Sequence, residues 1–230
     1  MSGRVAIVIP ALNEEDALPH VLRDIPQSLE ATVLVIDNGS TDRTAEVARS
    51  HGAMVLPQPV RGYGGACLTG ILYLAGLPTP PEVLVILDGD HADDPSLLPA
   101  LFVQPIVDGE ADMVLSTRTR LAEDGSMTSI QVWGNKLQVA LLRARFDLDL
   151  TDMGPMRALR FDQLLALGMQ DLTWGWNVEM ACKAARAGLR IREVEVPYRN
   201  RIGQSKISGT LSGVIRAGGK ILYAFAKYGR

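Results

Sequence analysis

The sequence predicts an α/β fold, a mostly parallel sheet with helices on both faces, plus a C-terminal amphipathic helix. Three observations predict it. Short, continuously apolar runs recur at 4–9, 32–36, 53–56, 83–87 and 112–116, as in strands buried on both faces. Helix-length segments separate them, and parallel neighbours need such crossovers. Finally, 207–228 sets Ile207, Leu211, Val214, Ile215, Ile221, Leu222 and Phe225 on one helical face, opposite Arg216, Lys220, Lys227 and Arg230.

In order along the chain, the first strand (4–9) stops at Pro10, and a helix is expected over 14–29. The second strand (32–36) leads into a helix that Thr41 and Asp42 open and that runs to about 51. A strand at 53–56 precedes a helix at 64–75, and a strand at 83–87 precedes a helix at 95–107. A fifth strand is expected at 112–116. Beyond 117 the pattern is looser: a loop at 123–126, a helix at 130–143, a polar turn at 147–154, a short strand at 156–160 and a helix at 161–167. A stronger helix at 177–187, stopped by Gly188, leads to a strand at 189–196. Gly209, Gly213, Gly218 and Gly219 would weaken the last helix in isolation.

With 230 residues, 47% hydrophobic and 21% charged, the chain is long enough for one large domain with a sizeable core. No apolar run approaches the roughly 20 residues of a spanning helix. Asn13, Glu14, Glu15 and Asp16 interrupt the first apolar segment too early for a signal peptide. Cys67 and Cys182 lack metal-ligand spacing and read as buried free thiols in a reducing compartment. The expected address is the cytoplasm, with the inner face of the membrane left open.

Charge is unevenly placed. Seven of the 23 basic residues lie after Glu195, against none of the 26 acidic ones. The preceding body therefore carries about −10, and the basic tail points to an anionic partner.

Four polar or glycine-rich loops follow the first four strands: 10–15, 37–42, 61–65 and 88–90. In open parallel sheets that edge is where ligands bind. Asp88 and Asp90 stand one residue apart at the end of an apolar strand, and like charges so close call for a compensating cation. Mg²⁺ and Mn²⁺ favour carboxylate oxygen and bind alongside phosphates. Gly89 and the glycines of 61–65, with Arg61, could approach a diphosphate. Each loop taken singly also reads as a turn or helix cap, Asn13 and Asp42 being good capping residues. No GxGxxG fingerprint is present, which disfavours a dinucleotide.

The segments 9–15, 36–44 and 87–90 together resemble the family 2 glycosyltransferases of the Rossmann-like GT-A fold. The resemblance implies that Pro10, Asn13, Glu14, Asp37 and Asn38 line a nucleotide pocket, Asn38 standing where many members have a second Asp. It makes Asp88 and Asp90 a DXD pair holding Mg²⁺ or Mn²⁺ against a sugar-nucleotide diphosphate. The segment 199–206 resembles the Arg-x-x-Gly-x-Ser-Lys stretch of polyprenyl-phosphate sugar synthases of the dolichol-phosphate mannose synthase type. Arg118, Arg201, Ser205 and Lys206 would then face an acceptor phosphate. One departure is Ala92, where those synthases commonly place a Gln as a further metal contact; His91, Asp93 or water would have to substitute.

Asp152 and Glu179 fall near the acceptor segments, and in members with hydroxyl acceptors a carboxylate there acts as base. A phosphate acceptor is already anionic and needs none. Trp174 and Trp176 could stack on a sugar or simply pack.

The resulting expectation is a metal-dependent inverting transferase moving a sugar from a UDP-glucose or GDP-mannose type donor to a polyprenyl phosphate. Transfer to a soluble hydroxyl acceptor, a sugar-phosphate nucleotidyltransferase and a non-catalytic sugar-nucleotide sensor are the alternatives. The expected division is a donor half at 1–117, an acceptor half at 118–206 and the helix at 207–230. Peripheral membrane association and a homodimer are left open, and nucleic acid is not an expected partner.

Overall fold

The computed structural model describes residues 4–203 and 211–229, with the side chains of 211–218 excepted. Seven strands form one sheet in the order β3-β2-β1-β4-β6-β5-β7. They are β1 (Val5–Ala11), β2 (Thr32–Asp37), β3 (Met54–Pro57), β4 (Val83–Ile86), β5 (Met113–Thr117), β6 (Arg157–Arg160) and β7 (Ile191–Glu195). All neighbouring pairs are parallel except those of β6, which runs antiparallel between β4 and β5.

The pleat of β1 sends alternate side chains to two cores. Ala6 and Val8 join one apolar cluster with residues of α3 (Tyr63–Ala75), α5 (Ser129–Phe146), α6 (Phe161–Leu167), α7 (Trp176–Arg186) and α8 (Leu211–Tyr228). Val5, Ile7 and Ile9 join the other, beneath α1 (Leu18–Asp24), α2 (Thr44–Ser50) and the helical stretch ending in α4 (Gln104–Val107). Both cysteines are buried and free.

Several boundaries differ from expectation for local reasons. The helix expected over 14–29 is only α1 and a separate 3₁₀ turn at Gln27–Leu29, because Pro26 is extended and breaks the ladder. Helix α2 opens at Thr44, after the Asp42 carboxylate accepts the Thr44 amide at 3.0 Å and holds 41–43 as a turn. The segment at 95–107 changes pitch from a 3₁₀ turn through a π-turn to α4, with Pro99 and Pro105 each withholding an amide donor. Helix α5 begins earlier than expected because Thr128 and Gln131 form a capping box. Helix α8 packs on α5 and α7, burying Ala224 and Tyr228; residues 207–210 lie outside the described residues.

Candidate active site

Parallel β1, β2, β3 and β4 deliver their following loops to one edge of the sheet, where a cavity of about 540 Å³ opens. Pro10, Leu12 and Glu14 line it from the β1 loop, Asn38 from the β2 loop, and Arg61, Gly62 and Tyr63 from the β3 loop. Asp88, Gly89 and Asp90 come from the β4 loop. Thr173, Trp174, Asn177 and Arg201 close the opposite side.

Burial pushes the Asp88 carboxyl up to about 6, the charge of Asp90 adds to the rise, and the Tyr63 hydroxyl, donating at 3.1 Å, opposes it. Asp90 accepts the Ala92 amide at 3.0 Å and meets the Arg201 guanidinium at 3.3 Å. Arg201 also reaches Glu14 at 3.5 Å, so one arginine ties the segment after β7 to both the β1 and β4 loops. Arg61 is exposed at the mouth and has no ion pair among the described residues. The floor is thus acidic and the rim basic.

Asp37 and Asn13 do not line the cavity. Asp37 accepts the Ser40 amide at 2.9 Å, and Asn13, in the left-handed region at φ 53°, accepts the Thr41 amide at 2.8 Å. Asn13 thus pins the β1 loop to the β2 loop and Asp37 closes the β2 loop on itself, while Asn38 holds the Gly62 amide at 3.2 Å. The glycine amides expected to face phosphate are partly engaged as well. Gly65 donates to the Leu172 carbonyl at 2.9 Å, and a Cβ on Gly62 or Gly64 would collide with the carbonyls of Leu172 or Asp171. Those glycines permit close packing of two backbones.

Arg118 and Asp152 form a buried bidentate pair, Nε and Nη2 donating at 2.8 and 2.9 Å. The backbone amides of Arg118 and Met153 also donate to Asp152, at 2.8 and 2.7 Å. Burial acts to raise the Asp152 pKa, but these donors and the arginine charge prevail and hold it below the usual carboxylate value. Arg118 lies over the Tyr198 ring, 4.9 Å from its centroid. Glu179 is fully buried, accepts the Gln170 and Asp171 amides at 2.9 and 2.6 Å, and pairs with Lys183 at 2.7 Å. Neither Asp152 nor Glu179 nor Arg118 lines the cavity. Ser205 and Lys206 lie outside the described residues.

Of the substitutes for Ala92, His91 turns to Asp24 at 2.8 Å, and Asp93 is buried without a hydrogen-bond partner among the described residues. Among those residues no set of three His, Cys, Asp or Glu side chains is placed to hold a metal.

Sequence reasoning passed over Tyr63, Thr173 and Asn177. Trp174 stacks on Tyr63, ring centroids 6.3 Å apart and planes 19° from parallel, and makes an aromatic wall. The Asn177 carboxamide oxygen is buried without a partner among the described residues and belongs to a cavity-lining side chain. Fully buried Arg157 on β6 donates to the carbonyls of Gly154 and Pro155 at 2.7 and 3.1 Å. The signal available in sequence was position alone: Tyr63 and Asn177 sit inside segments already singled out.

The family model for glycosyl transferase family 2 matches residues 6–167. An uncharacterized glycosyltransferase of Mycobacterium tuberculosis is 40% identical over 214 residues, spanning 93% of this chain and 94% of its own. An undecaprenyl-phosphate mannosyltransferase of Micrococcus luteus is 31% identical over 226 residues, 91% of this chain and 90% of its own. Among solved structures, Mycobacterium tuberculosis glucosyl-3-phosphoglycerate synthase with Mn²⁺, UDP-glucose and phosphoglyceric acid superposes with a TM-score of 0.76 at 21% identity. That likeness covers 98% of this chain and 79% of the other and establishes a shared fold.

Proposed function

The chain belongs to glycosyl transferase family 2 and is a glycosyltransferase, and from that premise we propose that it moves a sugar from a nucleoside-diphosphate sugar to a polyprenyl phosphate with inversion at the anomeric carbon. The observation that carries the acceptor choice is the engagement of both candidate bases. Asp152 accepts four donors, three of them from Arg118, and Glu179 accepts two amides and an ammonium. A hydroxyl acceptor must lose its proton to a base as it attacks, whereas a phosphate oxygen attacks as an anion. The relative that acts on undecaprenyl phosphate supports the same choice.

Asp88 and Asp90 fit a divalent cation: two carboxylates on a cavity floor, one with a raised pKa from burial and from the other's charge. Mg²⁺ is commonly bound through one or two carboxylates with substrate phosphates completing the shell, and the donor is of UDP-glucose or GDP-mannose type. When bound, the ion supplies charge neutralisation to the departing diphosphate. Asn38, Pro10 and Glu14 hold the nucleoside end, and Arg61 and Arg201 reach the phosphates from the rim. The Tyr63–Trp174 wall bounds the sugar and excludes water. Asp152 fixes the planar guanidinium of Arg118 toward the acceptor phosphate and acts as a positioning residue.

Calorimetry with UDP, GDP and their sugars, with and without Mn²⁺, tests the donor half; absence of any metal-dependent binding overturns it. Detergent-solubilised undecaprenyl phosphate, offered beside phosphoglyceric acid and free sugars, tests the acceptor half. Sugar appearing on a soluble hydroxyl, with none on the lipid phosphate, refutes the acceptor choice.

A further inference from the structure

Trp174 lines the cavity yet is half exposed, and it is one end of a strip of unusually exposed apolar side chains. Val60, Leu172, Trp174, Leu222, Tyr223 and Trp133 are each between 50% and 71% exposed. Single exposed apolar residues are ordinary, but these stand on segments that pack side by side. Gly62 and Gly65, beside Val60, pack on Leu172; Gly175, beside Trp174, packs on Ala224 of α8. Lys220 reaches Asp171 at 3.2 Å and lies over the Tyr223 ring at 5.5 Å, so one lysine bridges the segment that carries Leu172 and Trp174 to the Tyr223 face of α8. On the far side Ile221 meets Gly134 of α5, next to Trp133. The strip therefore runs from the cavity mouth across α8 to α5.

We propose that this strip is the surface by which the protein lies on an anionic lipid bilayer, with the cavity mouth against the headgroups. The orientation rests on the lipid-phosphate acceptor proposed above. Charge complementarity selects this occupant. Exposed Lys227 lies one turn from Tyr223 on α8, and exposed Lys136 shares the α5 face of Trp133 at helical spacing. The chemistry of the strip is also interfacial: two tryptophans and a tyrosine, rings with an apolar body and a polar edge that settle at headgroup depth. No described helix is long and apolar enough to cross a membrane, and the contact proposed is a peripheral one. The inner face of α8 is already covered, since Ala224 and Tyr228 are buried. Its outer residues Leu222 and Tyr223 meet the lipid.

The test is flotation with phosphatidylcholine vesicles with and without phosphatidylglycerol. The protein floats with the anionic vesicles, and a variant carrying Trp133→Ser, Leu222→Ser and Tyr223→Ser loses on the order of tenfold in partition while binding UDP or GDP as before. Lys136→Glu, a single exposed change, weakens partition about fivefold and decides the matter alone where the triple variant does not fold. A protein that stays unbound with both vesicles, or variants that float as well as the parent, overturn the surface. So does light scattering that finds a dimer dissociated by the same substitutions, which assigns the strip to a second copy. Flotation without transfer to any solubilised polyprenyl phosphate overturns the acceptor and leaves the surface standing; transfer without flotation does the reverse.

Discussion

Asp88 is pulled in two directions, and Tyr63 decides how far. Burial and Asp90 favour its protonated form; the Tyr63 hydroxyl at 3.1 Å favours the anion. A protonated carboxyl holds a cation poorly, so Mn²⁺-dependent donor binding should fall as pH drops through about 6. Tyr63→Phe removes a donor that lowers the Asp88 pKa, so the acid limb moves to higher pH and affinity at neutral pH falls about fivefold. Calorimetry across pH checks both, and an unmoved limb shows that Tyr63 does not act through Asp88. Asp152→Asn separates positioning from base catalysis. Its loss leaves Arg118, whose side chain is 11% exposed, without its counter-charge, a change that typically costs about 3–5 kcal/mol of stability. Thermal unfolding and turnover should fall together; lost turnover at an unchanged Tm indicates a base. Much of the site was legible as residue types on one sheet edge: Pro10, Glu14, Asn38, Arg61, Asp88, Gly89, Asp90 and Arg201 do meet around one cavity. What was not legible was direction. Asn13 and Asp37 satisfy neighbouring loop amides, and Tyr63 reaches Asp88 because the glycines around it let 171–172 pack close, a contact far away in sequence.

The elements repeat the lesson at longer range. Apolar runs announced the strands because a buried parallel strand has no polar face, yet an apolar run carries no sign of direction, so antiparallel β6 between β4 and β5 went unread. Helix ends moved wherever a side chain satisfied the first or last amides, as at Asp42 and Thr128. One such tie holds the start of β5 to the start of β7. Arg190 donates to both oxygens of Asp112 at 2.9 and 2.8 Å, and its amide adds a third bond at 3.0 Å. Those hydrogen bonds, the side-chain ones foremost, hold the Asp112 pKa down at about 2. A depressed carboxyl stabilises the fold above its unfolded pKa of about 4 and loses that contribution as pH falls toward 2. Because Arg190 is half exposed, solvent screens the pair and its contribution is small. Urea unfolding of Asp112→Asn should show a small deficit at neutral pH that shrinks below about pH 4. A deficit independent of pH would assign it to shape rather than charge.

At the scale of the whole molecule, the C-terminal helix joins stability to function. Its sequence alone suits a detachable amphipathic anchor, but in the fold its inner face completes the core. Tyr228 and Ala224 are buried against α7 and α5, Ile221 and Phe225 pack on the same cluster, and Phe225 meets Phe146 edge-on at 6.5 Å. The Arg145 guanidinium donates to the Gly229 carbonyl at 2.9 Å, fastening the end of the helix to α5. Losing three such large side chains removes on the order of 5 kcal/mol, against a total stability of about 5–15 kcal/mol for a domain. A chain ending at residue 210 should therefore unfold at a much lower temperature and accumulate in the insoluble fraction, nucleotide binding failing with it. An anchor alone would behave differently: the shortened protein would keep its Tm and its UDP or GDP affinity and lose only vesicle binding. Expression of the shortened chain with a Tm measurement separates the two, because substitutions at Leu222 and Tyr223 change the outer face and leave the inner one in place. On the orientation proposed above, a helix that is core on one side and membrane contact on the other would link the cavity rigidly to the surface from which its acceptor comes, so that docking on the bilayer would also orient the site.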